Sequence, residues 1–138
     1  MRPTSGVSSS LSDFPFVNAT SEKILLRNIW ENNYIEVPQR VNITVQSNAE
    51  ELVLGGVLCI LETPIDIYVE KLEDFPLERK VLIVPLSVWE LPDYILRLLR
   101  RKYGVSGIAI PEVYRIEEEK INGDVLFLVE ALKIKRLD

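Results

Sequence analysis

The stretch Lys80-Val81-Leu82-Ile83-Val84-Pro85-Leu86-Ser87-Val88-Trp89-Glu90-Leu91-Pro92-Asp93-Tyr94-Ile95-Leu96-Arg97-Leu98-Leu99-Arg100-Arg101-Lys102-Tyr103-Gly104 decides how the chain is read. Val81 to Val84 is a short run of aliphatic, largely β-branched residues, which suits a buried strand. Pro85 lacks an amide donor and ends the ladder. Ser87 with Glu90 three residues on has the form of a capping box and predicts one short helical turn. Pro92 and Asp93 predict the start of the main helix, since proline is preorganised at a helix start and an acid suits its positive end. Leu91, Tyr94 or Ile95, Leu98 and Leu99 then share one face. Gly104 predicts a left-handed stop, so the helix spans about 92–103.

Outward from this stretch, the chain reads mostly as strand. Val41-Asn42-Ile43-Thr44-Val45-Gln46 alternates apolar and polar residues and predicts a half-exposed strand, with Val41, Ile43 and Val45 inward. Ile65, Ile67 and Val69 alternate in the same way. Leu52 to Leu61 is nearly continuous apolar residues around Gly55-Gly56. Continuity of this kind predicts burial on both faces, and the glycine pair predicts a bulge, a sharp bend or the close approach of another backbone. Val105–Ile110, Glu112–Glu118 and Asp124–Lys135 read as strands. Asn122-Gly123 between the last two marks a hairpin. Nearer the start, Thr20 caps a short helix expected over 21–31, with a strand over 23–30 as the alternative reading.

These elements predict a β-rich α+β fold. It is a small, mostly antiparallel sheet or an OB-like barrel with one central helix, and the Gly55-Gly56 bend falls in a long barrel strand. Residues 1–12, rich in serine, are expected to form a tail, and 13–138 one domain. With 138 residues and 47% hydrophobic composition, the core needs no metal or disulfide to fold.

Composition narrows the chemistry. Histidine is absent and Cys59 is the single cysteine. That removes imidazole bases, Ser-His and Cys-His nucleophiles, zinc fingers and internal disulfides. Cys59, inside an apolar run, is expected to be a small buried residue. No Gly-rich phosphate loop is present. Carboxylates cluster at Glu50-Glu51, at Glu70 with Glu73 and Asp74, and at Glu117-Glu118-Glu119, without a flanking pattern that sets a metal or acid–base geometry. Asn18-Ala19-Thr20 and Asn42-Ile43-Thr44 fit the glycosylation pattern, but no secretory signal or membrane-spanning run accompanies them, so a cytoplasmic protein is expected. The sparse glutamine, with Met1 as the only methionine, suits a thermophilic source.

The net charge of −5 works against a protein that coats duplex nucleic acid, because each phosphate neutralised needs a cation. A local basic face remains. Arg97, Arg100, Arg101 and Lys102 crowd the last turns of the helix, where cations complement the dipole and Asp93 is spaced to pair with Arg97. Lys133 and Lys135 alternate on the last strand and so share a face. These six are the candidate contacts for a partner or for nucleic acid. No catalytic residue, metal site or cofactor is expected.

The function expected is a non-catalytic binding module. It would be a small subunit or adaptor of a larger cytosolic assembly with a protein partner or a second copy, within DNA- or RNA-handling machinery if the barrel forms. The alternative is an OB-like single-strand-binding protein that uses exposed aromatics such as Trp30, Tyr34, Tyr68, Trp89, Tyr103 and Tyr114.

Overall fold

The structure is a computed structural model, and residues 14–138 are described. The expected tail over 1–12 lies outside the described residues. Strands dominate: β1 (Phe16–Asn18), β2 (Lys23–Asn28), β3 (Asn33–Val37), β4 (Val41–Leu54), β5 (Val57–Lys71), β6 (Val81–Ile83), β7 (Gly107–Glu118) and β8 (Val125–Arg136). Two helices, α1 (Leu86–Trp89) and α2 (Asp93–Tyr103), lie between β6 and β7.

The central stretch folds as read, with two refinements. Pro85, not Ser87, occupies the N-cap of α1, and no side chain caps it. Pro92 is the N-cap of α2, and Gly104 closes that helix at φ 72° with its amide on the Arg100 carbonyl. Ile95, Leu96 and Leu99 are buried, Leu91 and Leu98 are half-buried, and Tyr94 is exposed. The segment β6-α1-α2-β7 returns to pair in parallel with the strand it left, Val81 opposite Gly107 and Ile83 opposite Ala109. A helical crossover is what parallel neighbours require.

Six strands form one sheet in the order β1-β6-β7-β8-β2-β3, curled into a half-barrel, while β4 and β5 form a separate two-stranded sheet. The expected OB-like barrel is a five-stranded Greek key, and this topology differs from it. Three short ladders, β1–β6, β6–β7 and β2–β8, are parallel. The two longest ladders, β4–β5 and β7–β8, are antiparallel as expected.

The helix expected over 21–31 is instead the strand β2 followed by a turn. Its β-branched and leucine side chains alternate into the curl, with Ile24 and Leu26 buried and Leu25 half-buried between them. The burial follows period 2, which outweighs the capping signal at Thr20. That threonine serves a different purpose. Its amide and hydroxyl both donate to Asn18 Oδ1, at 2.8 and 2.7 Å. Asn18 is fully buried, and its Nδ2 donates to the Glu22 and Val37 carbonyls, each at 2.9 Å. With the Arg40 amide on the Asn18 carbonyl, this one side chain ties the β1 edge of the half-barrel to the β3 edge. A buried amide with every bond made is a stable staple, and it has no room for a glycan.

Neighbouring residues on β6 and β7 point to opposite sides of the sheet and serve two cores. Leu82 and Ile108 pack with α1, α2 and the base of the β4–β5 hairpin, alongside Val88, Ile95, Leu96, Leu99, Val41 and Ile67. Ile83 and Ala109 pack inside the curl with Ile24, Leu26, Val37 and Val129. The β7–β8 hairpin expected from Asn122-Gly123 is present, with Glu118 opposite Val125. Its loop closes through the Gly123 amide on the Glu119 carbonyl. The separate strands expected over 105–110 and 112–118 are one strand with register shifts between Pro111 and Tyr114.

Candidate partner-docking site

The longest apolar run in the sequence is the tip of a projecting arm. Gly55 and Gly56 take φ of 58° and 79° and reverse the chain between Leu54 and Val57, which lie opposite each other. Positive φ at both central positions is what a tight hairpin turn demands, and glycine meets it without steric cost. The expectations of a bend within one barrel strand and of burial on both faces are therefore corrected. Val53, Leu54, Val57, Leu58, Ile60 and Leu61 are all between 52% and 69% exposed. Cys59 is half-buried, not buried, opposite Leu52.

The same hairpin is docked at its base. Val41, Ile43, Val45, Ile67 and Val69 face the core as their alternation predicted. Ile65 does not follow: the register shifts between Gln46 and Ser47, Ile65 is left without a partner there, and it stays exposed. α2 runs beside β5 and holds it at three points. Tyr94 Oη donates to the Pro64 carbonyl at 2.9 Å, Lys102 Nζ donates to the Ile67 carbonyl at 2.9 Å, and the Val69 amide donates to Tyr103 Oη at 3.0 Å. Beyond Pro64 no described helix lies against the arm. Seven residues of strand at about 3.4 Å each put its tip roughly 24 Å past that last contact.

The six cations singled out from sequence separate into two groups. Lys102 bonds Asp66 at 2.5 Å and lies 4.1 Å from the Tyr68 ring centre. Its ammonium pulls the Asp66 carboxyl down to about 2, helped by the nearby Tyr68 hydroxyl and the Ile67 amide, and Asp66 in turn raises the lysine. Lys135 donates to the Trp89 carbonyl at 2.9 Å and sits 4.3 Å from that ring, with Lys133 at 5.9 Å. These lysines hold the fold together. Arg97, Arg100 and Arg101 are exposed and make no hydrogen bond or ion pair among the described residues, including the expected one with Asp93. On the arm, Glu50, Glu51 and Glu62 are likewise exposed and unpaired among the described residues.

The candidate aromatics do not gather into one groove. Trp30 stands 88% exposed on the β2–β3 turn, while Tyr114 stacks on Phe127 with ring centres 5.6 Å apart. Tyr68 and Trp89 are covered by lysines. A cleft of about 450 Å³ opens at the mouth of the curl between Ile24, Ile43, Ile110, Tyr114 and Phe127, with Glu22 the one carboxylate among its described lining residues. No set of three ligand-type side chains is close enough to hold a metal among the described residues. Of the acidic clusters, Glu117 pairs with Arg115, Glu119 with Lys23, Glu73 with Arg40 and Asp74 with Lys71. No described helix is long and apolar enough to cross a membrane.

Sequence reasoning placed the apolar run correctly as structured but missed it as a surface. The available signal was Gly55-Gly56, a hairpin dipeptide as direct as Asn122-Gly123. Comparison of the chain with protein-family models, with curated proteins and with solved structures finds no match.

Proposed function

We propose that the protein is a non-catalytic binding module, a subunit of a larger assembly, that engages a protein partner through the β4–β5 arm. The observation that carries this reading is the exposure of the six aliphatic side chains at the arm's tip, on both faces of an uncovered two-stranded ladder. Patches above a few hundred Å² are uncommon on monomers and mark interaction sites. Two open strand edges add backbone donors and acceptors that a partner strand can pair. Partner binding removes both liabilities at once.

The single-strand-binding alternative has weaker support. Three of its six cations are committed to internal contacts, its aromatics are dispersed, and the body carries a net charge of −5. Tagged full-length protein captured from its native lysate, with nuclease, tests the two readings by mass spectrometry against a Leu58→Asp/Ile60→Asp variant. The expected result is a stoichiometric protein partner that is retained by wild type after nuclease and lost by the variant. Identical recovery by both proteins, or recovery abolished by nuclease alone, overturns the reading.

A further inference from the structure

We propose that the arm takes its partner as an added strand. An extended segment of another protein pairs along the outer edge of β4, places an apolar side chain in the cleft at the mouth of the curl, and sets two consecutive lysines or arginines against Glu50 and Glu51. This rests on the binding-module reading and names the partner's chemistry.

The bonds from α2 show which backbone groups of the hairpin point outward. In an antiparallel ladder, opposite residues alternate between pairs that bond each other and pairs whose backbone groups face away from the ladder. Pro64, Ile67 and Val69 belong to the second kind, because α2 reaches their backbone groups on the outer side of β5. Their partners across the ladder are Ser47, Val45 and Ile43. These residues therefore direct their amides and carbonyls away from β5, and period 2 extends the set to Ala49, Glu51 and Val53. β4 pairs with β5 alone, and no described group bonds the backbone of this edge from Ile43 to Val53. The outer edge of β5 is shorter, since α2 holds it from Pro64 to Val69 and leaves Leu58, Ile60 and Glu62. An open edge is a template for another strand, whose main-chain bonds give affinity while side-chain pockets give selectivity.

The cleft opens off the base of this edge. Gln39 Nε2 donates to the Val41 carbonyl at 3.2 Å, which places Gln39 on the outer side of β4. Gln39, Asn42 and Ile43 line the cleft together with the apolar Ile110, Tyr114 and Phe127. Its 450 Å³ leaves room for a large apolar side chain and the backbone that carries it. The charges are of one sign. Glu50 and Glu51 on the edge and Glu22 in the cleft are exposed and make no ion pair among the described residues. The neighbouring cations are engaged elsewhere. Lys23 pairs with Glu36 and Glu119, and Arg40 with Glu73. Lys133, opposite the lining residue Ile110, lies over the Trp89 ring. The edge is therefore complementary to a cationic segment.

Glu50 and Glu51 point to opposite faces of the ladder, so an added strand meets both only with cations at two consecutive positions. At about 3.4 Å per residue they lie roughly 24 to 27 Å from Ile43, which sets the distance between the basic pair and the apolar anchor. The chain is a poor partner for itself at this edge. β4 contains no lysine or arginine, and a second copy of it would bring only its own Glu50 and Glu51.

Fluorescence anisotropy of the full chain with the labelled peptide Arg-Arg-Val-Thr-Ser-Thr-Val-Thr-Phe tests the proposal. Laid antiparallel, this peptide sets its arginines opposite Glu51 and Glu50 and its phenylalanine opposite Ile43. Saturable binding that weakens with salt is expected. Glu50→Lys/Glu51→Lys is expected to weaken it about 10-fold, and to bind instead the peptide with Glu-Glu in place of Arg-Arg. Ala49→Pro removes one outward amide and leaves the β4–β5 bonds in place. It is expected to weaken binding at least about 10-fold while circular dichroism shows the fold intact. No saturable binding by wild type, or binding indifferent to the charge reversal or to Ala49→Pro, overturns the proposal. A lysate partner lost on Leu58→Asp/Ile60→Asp yet retained by Ala49→Pro and by Glu50→Lys/Glu51→Lys overturns only the added-strand assignment and leaves the binding module standing.

Discussion

The two halves of the β4–β5 hairpin belong to one continuous ladder and have opposite surroundings. Toward its base, apolar residues alternate with polar ones, and Ile67 is fully buried under α2. Toward its tip, both faces are apolar, and Ile60, seven residues earlier on the same strand, is 69% exposed. The more hydrophobic half is the less buried one. A strand is buried by the element that lies opposite it, and α2 is only 11 residues long and begins level with Pro64. Its hydrophobic strip ends there, while the strip on the hairpin continues.

Substitutions of the same kind in the two halves should therefore give different results. Ile67→Ala removes buried methylenes and leaves a cavity, which costs about 2–5 kcal/mol in urea unfolding. Ile60→Ala, measured where the chain is monomeric, should stay within about 0.5 kcal/mol of wild type. Equal losses at the two positions would mean that the arm packs on its own body, and the contrast would collapse.

A smaller effect is expected where α2 grips the base. Tyr103→Phe deletes the acceptor of the Val69 amide and should cost about 1–2 kcal/mol by the same measurement. No change would show that water replaces the hydroxyl without loss, and that apolar packing alone docks the hairpin.

The Asp66–Lys102 pair adds a pH signature to the docked half. Asp66 is held at about 2, below its ordinary value near 3.8, chiefly by the Lys102 hydrogen bond. As pH falls, the unfolded chain takes up this proton first, so stability falls with it. The contribution is complete above pH about 4 and is lost as pH drops through about 2. Asp66→Asn should flatten the stability profile in that window, and an unchanged slope would remove the pair from the account.

The smallest global effect belongs to the turn. Gly56→Ala forces a side chain into φ 79°, where alanine is disfavoured by roughly 1 kcal/mol. Nothing lies within 4 Å of the added methyl group, so the strain is conformational alone. Hydrogen exchange should speed at the amides of Leu54 and Val57 while the urea midpoint stays in place. A shifted midpoint would couple the tip to the folding unit and erase the difference between the halves.

Much of the architecture is legible in local residues. The segment from Val81 to Gly104 announces strand, proline break, helix and glycine stop because each signal acts within a few residues of itself. Asn122-Gly123 announces a hairpin for the same reason. Ile24 and Leu26 were harder to read, because a six-residue strand preceded by a good capping residue satisfies both periodicities. The neighbouring strand β8 decides the outcome by pairing with it. Of the candidate site, the helix arginines could be named from sequence, whereas Lys102, Lys133 and Lys135 could not be separated from them. Their partners Asp66 and Trp89 lie more than 30 residues away along the chain.

By itself, then, the sequence determined most of the elements, the turn chemistry, the absence of histidine chemistry and the acidic balance, all of which depend on residue type and short spacing. The tertiary structure decided which apolar residues are covered. Leu82 and Leu58 are equally hydrophobic, yet one is fully buried and the other is 64% exposed. Burial depends on what stands across from a side chain, and the described chain supplies a helix opposite one leucine and no covering element over the other.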